Sequence, residues 1–193
     1  MGRVIRKAGV LGALMVAGLA AWTVPLAVQA QEKGGGDGAG AFLEDAAAAC
    51  RHGDFSTFLF SFSADDVVQQ RYSAAVISFA SIDDRTPRPV RLERYLDLAS
   101  FPLRPMDTQF YTRPSVDTMR GHFGTHKDLV PVDFTVDESV PSRRTVNWVW
   151  GRFVDTPEED EGMGYAFEKI SAGGTLIFRA KDGCWQLEGD IRH

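Results

Sequence analysis

The chain has little of what catalysis and metal binding most often use. Four histidines and two cysteines are spread through 193 residues. There is no C-x-x-C pair, and two isolated cysteines cannot build a zinc–thiolate cluster. G-x-G-x-x-G, a P-loop and G-x-S-x-G are all missing, so no dinucleotide, nucleotide or nucleophile-elbow chemistry is signalled and no cofactor is implied. Positive charge is scarce too, with 21 Lys and Arg against 26 Asp and Glu. That balance argues against a nucleic-acid binder, whose affinity rests on many basic contacts to phosphates. After residue 30 no long apolar run suits a membrane-spanning helix.

The first thirty residues carry the clearest positive signal. Arg3, Arg6 and Lys7 precede an apolar run from Val10 to Val24, which Trp22 and Pro25 close. Val28-Gln29-Ala30 then offers small residues at the two positions a signal peptidase reads. The pattern predicts a signal peptide over 1–30 and a mature, exported protein of about 163 residues, periplasmic or secreted. A retained anchor is the alternative, for which the run is short. No Cys follows the run to take a lipid. Losing three basic residues leaves 18 against 26 acidic ones, a net charge of −8.

In an oxidising compartment Cys50 and Cys184 are expected to pair, the alternatives being separate buried thiols or an intermolecular bond. The bridge would fasten the first mature helix to the last strand. Residues 31–40 read as a glycine-rich linker and 41–193 as one domain. Phe42, Leu43, Ala46, Ala47 and Cys50 follow a helical period, and His52-Gly53 stops it, with His52 suited to the exposed carbonyls. Asp54 can cap a second helix carrying Phe55, Phe58, Leu59 and Phe62. Val67 to Ile82 reads as helix first and strand later. Thr86 to Pro89 must be turn or extended, Leu92 to Ser100 suits a short helix, and Pro102 and Pro105 interrupt the chain before a strand over Thr108 to Thr112.

The second half reads as an antiparallel sheet. Val130, Val132, Phe134 and Val136 alternate on one side of one strand, and Val146, Trp148 and Trp150 on one side of the next. Gly164 to Ile170, Thr175 to Ala180 and Cys184 to Ile191 complete the pattern. Ala172-Gly173-Gly174 and Asp182-Gly183 are expected to connect them, the latter as a type I′ hairpin. An ideal last strand sets Cys184 opposite Trp185, Leu187 and Ile191. Helices before a mainly antiparallel sheet give an α+β class.

Trp148 and Trp150 suit core packing, or the lining of a concave ligand or partner site. Arg113, after the strand of Tyr111, and Arg152, after the tryptophans, can stand at the rim of such a site, although arginine is ordinarily exposed. His122 and His126 are four apart, but Gly121 and Gly124 argue against the helix that would align them as ligands with Asp128, so no metal site is expected. Paired with Asp128 or Asp133, a histidine could instead do acid–base work. Glu158, Glu159, Asp160 and Glu161 lie between Pro157 and Gly162 in a solvated hairpin loop.

Two early helices with Phe55-Ser56-Thr57-Phe58, long strands and the ending Gly183-Cys184-Trp185-Gln186-Leu187 resemble a nuclear transport factor 2-like domain over Ala41 to His193. The resemblance implies a strongly bent sheet that wraps helices around a pocket, in a family of isomerases, dehydratases and dimerisation modules. Its catalytic members use an acid or a His and Asp pair inside the cone. Fold does not choose among these roles. The sequence favours an exported noncatalytic domain that binds a small apolar ligand or a protein partner such as a second copy. The competing classes are a small isomerase or hydratase-like enzyme and an envelope structural protein.

Overall fold

A computed structural model describes residues 38–121, 125–157 and 163–193. The expected signal peptide, residues 31–37 of the linker, His122 and the acidic run lie outside them.

The first described element is α1 (Gly38–His52), which starts three residues ahead of the expected Ala41. Gly53 ends it at φ +69°. The Gly53 N–H donates to the Cys50 carbonyl at 3.3 Å and the Asp54 N–H to the Ala49 carbonyl at 3.0 Å, the paired bonds of a glycine-terminated helix. The Asp54 carboxylate then caps α2 (Phe55–Ala64), accepting from the Thr57 N–H at 3.0 Å and its hydroxyl at 2.6 Å. One residue closes one helix and opens the next. Asp65 does the same for α3 (Asp66–Arg71), accepting from the N–H groups of Val67 and Val68.

Helix then strand holds for the next stretch, as α3 leads into β1 (Ser73–Ala80). β2 (Arg88–Arg91) is an edge strand, where Pro89 costs no ladder bond that matters. After α4 (Leu92–Leu98) comes a separate hairpin of β3 (Leu103–Met106) and β4 (Gln109–Thr112). Pro105 therefore lies within a strand rather than between elements. α5 (Arg113–Gly121) has no counterpart in the sequence reading; Pro114 sits in its first turn, where no N–H is needed.

β5 (Val132–Asp137), β6 (Arg143–Pro157), β7 (Met163–Lys181) and β8 (Cys184–Arg192) are antiparallel neighbours. The six-stranded sheet runs β2-β1-β8-β7-β6-β5, with β1 parallel to β8. The class is α+β, with a mainly antiparallel and unclosed sheet.

Ala172-Gly173-Gly174 is not a connection. It lies inside β7, a single strand of 19 residues. Trp148 pairs with Gly174 and Val149 with Ala172, so Gly173 is left unopposed; a second shift leaves Ile170 unopposed. Such bulges bend a strand and increase its twist. A Cβ at Gly173 would overlap the Trp148 indole, so glycine here makes room for a neighbour's ring.

β8 departs from ideal alternation in the same way. Phe178 pairs with Leu187 but Ile177 with Gly189, which leaves Glu188 unopposed. Parity reverses there. Asp190 and Arg192, not Ile191, follow Trp185 and Leu187 onto the core face, paired with Leu176 and Gly174.

The core forms where α2 lies on β7 and β8. Ring centroids are 5.2 Å apart for Phe55 and Trp185, 5.3 Å for Phe58 and Trp185, and 5.2 Å for Phe62 and Phe178. All three phenylalanines are buried. At this end Asp182 and Gly183 both have positive φ, 51° and 77°, as a type I′ turn demands. The Cys50–Cys184 disulfide ties the last turn of α1 to the start of β8, with Cα atoms 4.6 Å apart.

Candidate functional site

The sheet face that carries the core continues toward β5 and the end of β8. Trp148 pairs with Phe134 on one side and Gly174 on the other, and Trp150 with Val132 and Ser171. Alternation sends both indoles to the same face. Trp148 is buried and Trp150 half-buried.

Facing them, Thr112 and Pro114 at the β4–α5 junction form a wall with Val130. Three hydrogen bonds fix it: the Thr112 N–H to the Val130 carbonyl (2.9 Å), the Val130 N–H to the Ser115 hydroxyl (3.0 Å), and that hydroxyl to the Thr112 carbonyl (2.8 Å). Ile82 after β1, with Ser100 and Pro102 ahead of β3, forms the remaining wall. Together they enclose a cleft of about 330 Å³ whose one charged lining residue is Arg192.

Arg192 is held from several sides. Its Nη2 donates to Asp190 Oδ2 at 2.8 Å and to the Ser100 carbonyl at 2.6 Å, and its Nε lies 3.2 Å from Asp190 Oδ2. The guanidinium carbon sits 5.6 Å from the centre of the Phe79 ring. Asp190 is fully buried and also accepts from the Tyr95 hydroxyl at 2.9 Å. Burial, reinforced by the Asp190 charge, pushes the Tyr95 hydroxyl well above its ordinary range, so it remains a donor. Burial alone would lower Arg192. The attraction and hydrogen bonds of Asp190 outweigh it and raise the group instead, so the guanidinium stays charged.

Of the four residues singled out as binding candidates, the structure brings Trp148 and Trp150 together in this cleft. Arg113 turns away from it. Its guanidinium contacts both Asp66 oxygens at 3.0 Å and Asp117 at 3.3 Å, while Arg104 shares Asp66 at 3.1 Å. Arg113 borders a different cleft, of about 280 Å³, with Gln69 and Phe101. Arg152 is exposed on the β6–β7 hairpin and pairs with Glu168 at 2.6 Å.

Neither acid of the acid–base candidates lines the cleft. Asp128 is exposed and accepts from the Thr125 N–H at 3.1 Å, Asp133 is exposed on β5, and the His126 side chain lies outside the described residues. Among the described residues no group of three or more His, Cys, Asp or Glu is placed to hold a metal ion, and no helix is long and apolar enough to cross a membrane.

Arg192 and Asp190 are the site residues that sequence reasoning passes over. The usable signal was an acid and a base two apart at the end of the last strand, where side chains two apart share a face. Compared with protein-family models, curated proteins and solved structures, the chain matches none.

Proposed function

We propose that this chain is an exported, noncatalytic domain that holds a small apolar ligand between Trp148, Trp150 and the Pro102–Pro114 walls. The cleft itself carries the reading. Its volume of about 330 Å³ falls among small-molecule sites, and its lining of indole, proline and aliphatic groups around one polar anchor is how such sites are built. Asp190, the acid beside it, is fully buried and committed to Arg192 and Tyr95, which supports binding over acid–base chemistry. The leader pattern and the disulfide support export to a periplasm or the medium. A nuclear transport factor 2-like kinship, suggested by the sequence, is kept as part of the proposal.

A neutral fluorescent probe, N-phenyl-1-naphthylamine, tests the reading. Its emission should rise saturably with one site per chain. Trp150→Ala should weaken binding at least tenfold while leaving the urea midpoint close to wild type, because Trp150 is only half-buried. No saturable binding, or equal binding by the variant, would overturn the assignment.

A further inference from the structure

We infer that the cleft takes an apolar monocarboxylate, its carboxylate received by Arg192; the inference rests on the reading of this cleft as the ligand site. A guanidinium carries five N–H donors. Nε and Nη2 of Arg192 are used by Asp190 and Ser100, and the Tyr95 hydroxyl also interacts with the guanidinium. Its donors belong to a permanently charged residue on the lining of a mainly apolar cleft. They do not have to be ordered on binding, since Asp190, the Ser100 carbonyl and the Phe79 ring already fix the group.

A second donor points the same way. Trp148 Nε1 is buried without a partner, and it lies beside Gly174, the residue that pairs with Arg192. That buried donor, on a residue that lines the cleft, has its hydrogen-bonding capacity unmet.

The opposing charge is Asp190, which neutralises Arg192 from below. It has no exposed surface, so its carboxylate meets the cleft only through the guanidinium it holds. No other lining residue is charged, so no acid repels an anion there. Charge-assisted bonds are about twice as strong as neutral ones, which favours a carboxylate over an alcohol. A phosphate dianion would lose far more hydration than one guanidinium edge returns, and an ammonium would meet a cation. Taking about 30 Å³ as one water's share of liquid volume, the cleft has room for roughly eleven heavy atoms, the size of an eight-carbon acid.

Calorimetric titration of the disulfide-intact protein with octanoate, 1-octanol and octylammonium at pH 7 separates the possibilities. Octanoate should bind at least tenfold more tightly than octanol, and octylammonium should not saturate. The paired change Asp190→Asn with Arg192→Gln removes both charges together and should bring octanoate down to the octanol level. Because that pair is buried and the variant can fail to fold, Ile82→Glu provides a second arm at an exposed position of the same cleft. It should weaken octanoate at least tenfold and octanol little. Equal binding of octanoate and octanol overturns the carboxylate assignment and leaves the apolar cleft standing; so does octanoate binding that neither variant weakens. Failure of all three ligands overturns both.

Discussion

Trp185 and Trp148 are each 7% exposed and stand on the same face of the sheet, yet they do different work. Trp185 meets Phe55 and Phe58 edge-on or tilted, at 5.2 and 5.3 Å, beneath α2. Trp148 rests on Gly173 and Gly174 and borders a cleft closed by loops. The exposure of a tryptophan therefore does not reveal its role here; what covers it does. A helix with three buried phenylalanines fills one end of the face, while at the other end short segments stand off from the strands and leave room.

The covered end should be broken most severely by removing its staple. Replacing Cys50 and Cys184 by Ser frees a loop of 134 residues' separation, worth roughly 5 kcal/mol in the chain-entropy model. Urea unfolding of the variant against the oxidised protein measures it, and an unchanged midpoint would mean that helix packing alone holds α1.

Phe58→Ala comes next, because Phe58 has no exposed surface and its ring stacks among Phe55, Phe62, Tyr72, Phe178 and Trp185. A cost of about 3–5 kcal/mol is expected. Trp150→Ala, at the open end, should cost much less in the same experiment. Similar losses for the two would erase the distinction between a filled end and an open one.

The smallest effect belongs to the ion cluster away from both ends. Burial would raise the Asp66 carboxyl, but Arg113 and Arg104 outweigh it and hold it below the ordinary carboxylate range. The folded protein thus binds the proton less readily than the unfolded chain. The stabilisation is present at neutral pH and is lost as pH falls below about 4, through the folded value. Asp66 is 62% exposed, so its contribution is no more than about 1 kcal/mol. Asp66→Asn should lower Tm at pH 7, and the gap to wild type should narrow at pH 3.

Local signals made much of this fold legible. Asp54 and Gly53 mark the α1–α2 junction, Asp182-Gly183 marks the last hairpin, and the alternation through Val132, Phe134, Val146 and Trp148 marks β5 and β6. The pairing of the two cysteines was legible from their number and from the export expected of the leader pattern. What escaped depends on a partner distant in sequence. Gly173-Gly174 looks like a turn because glycine usually is one; its purpose here is set by an indole on the next strand. Arg192 was hidden by a bulge at Glu188, which no period-2 reading anticipates. α5 is short and polar, and the glycines nearby drew attention from Pro114 at its start. Arg113 stood near the right wall, but Asp66, 47 residues earlier, claims its side chain.

The sheet order also imposes a schedule on synthesis. β8 lies between β1 and β7. A nascent chain that has reached only Gly183 holds β1 and β2 on one side and β5, β6 and β7 on the other, with no strand to join them. It also lacks Trp185 and Leu187 for the phenylalanines of α2, and Cys184 for Cys50. Completion of the six-stranded sheet and of the disulfide must wait for β8. The strand that closes the fold is thus the last one made, an order that suits the export proposed for the chain.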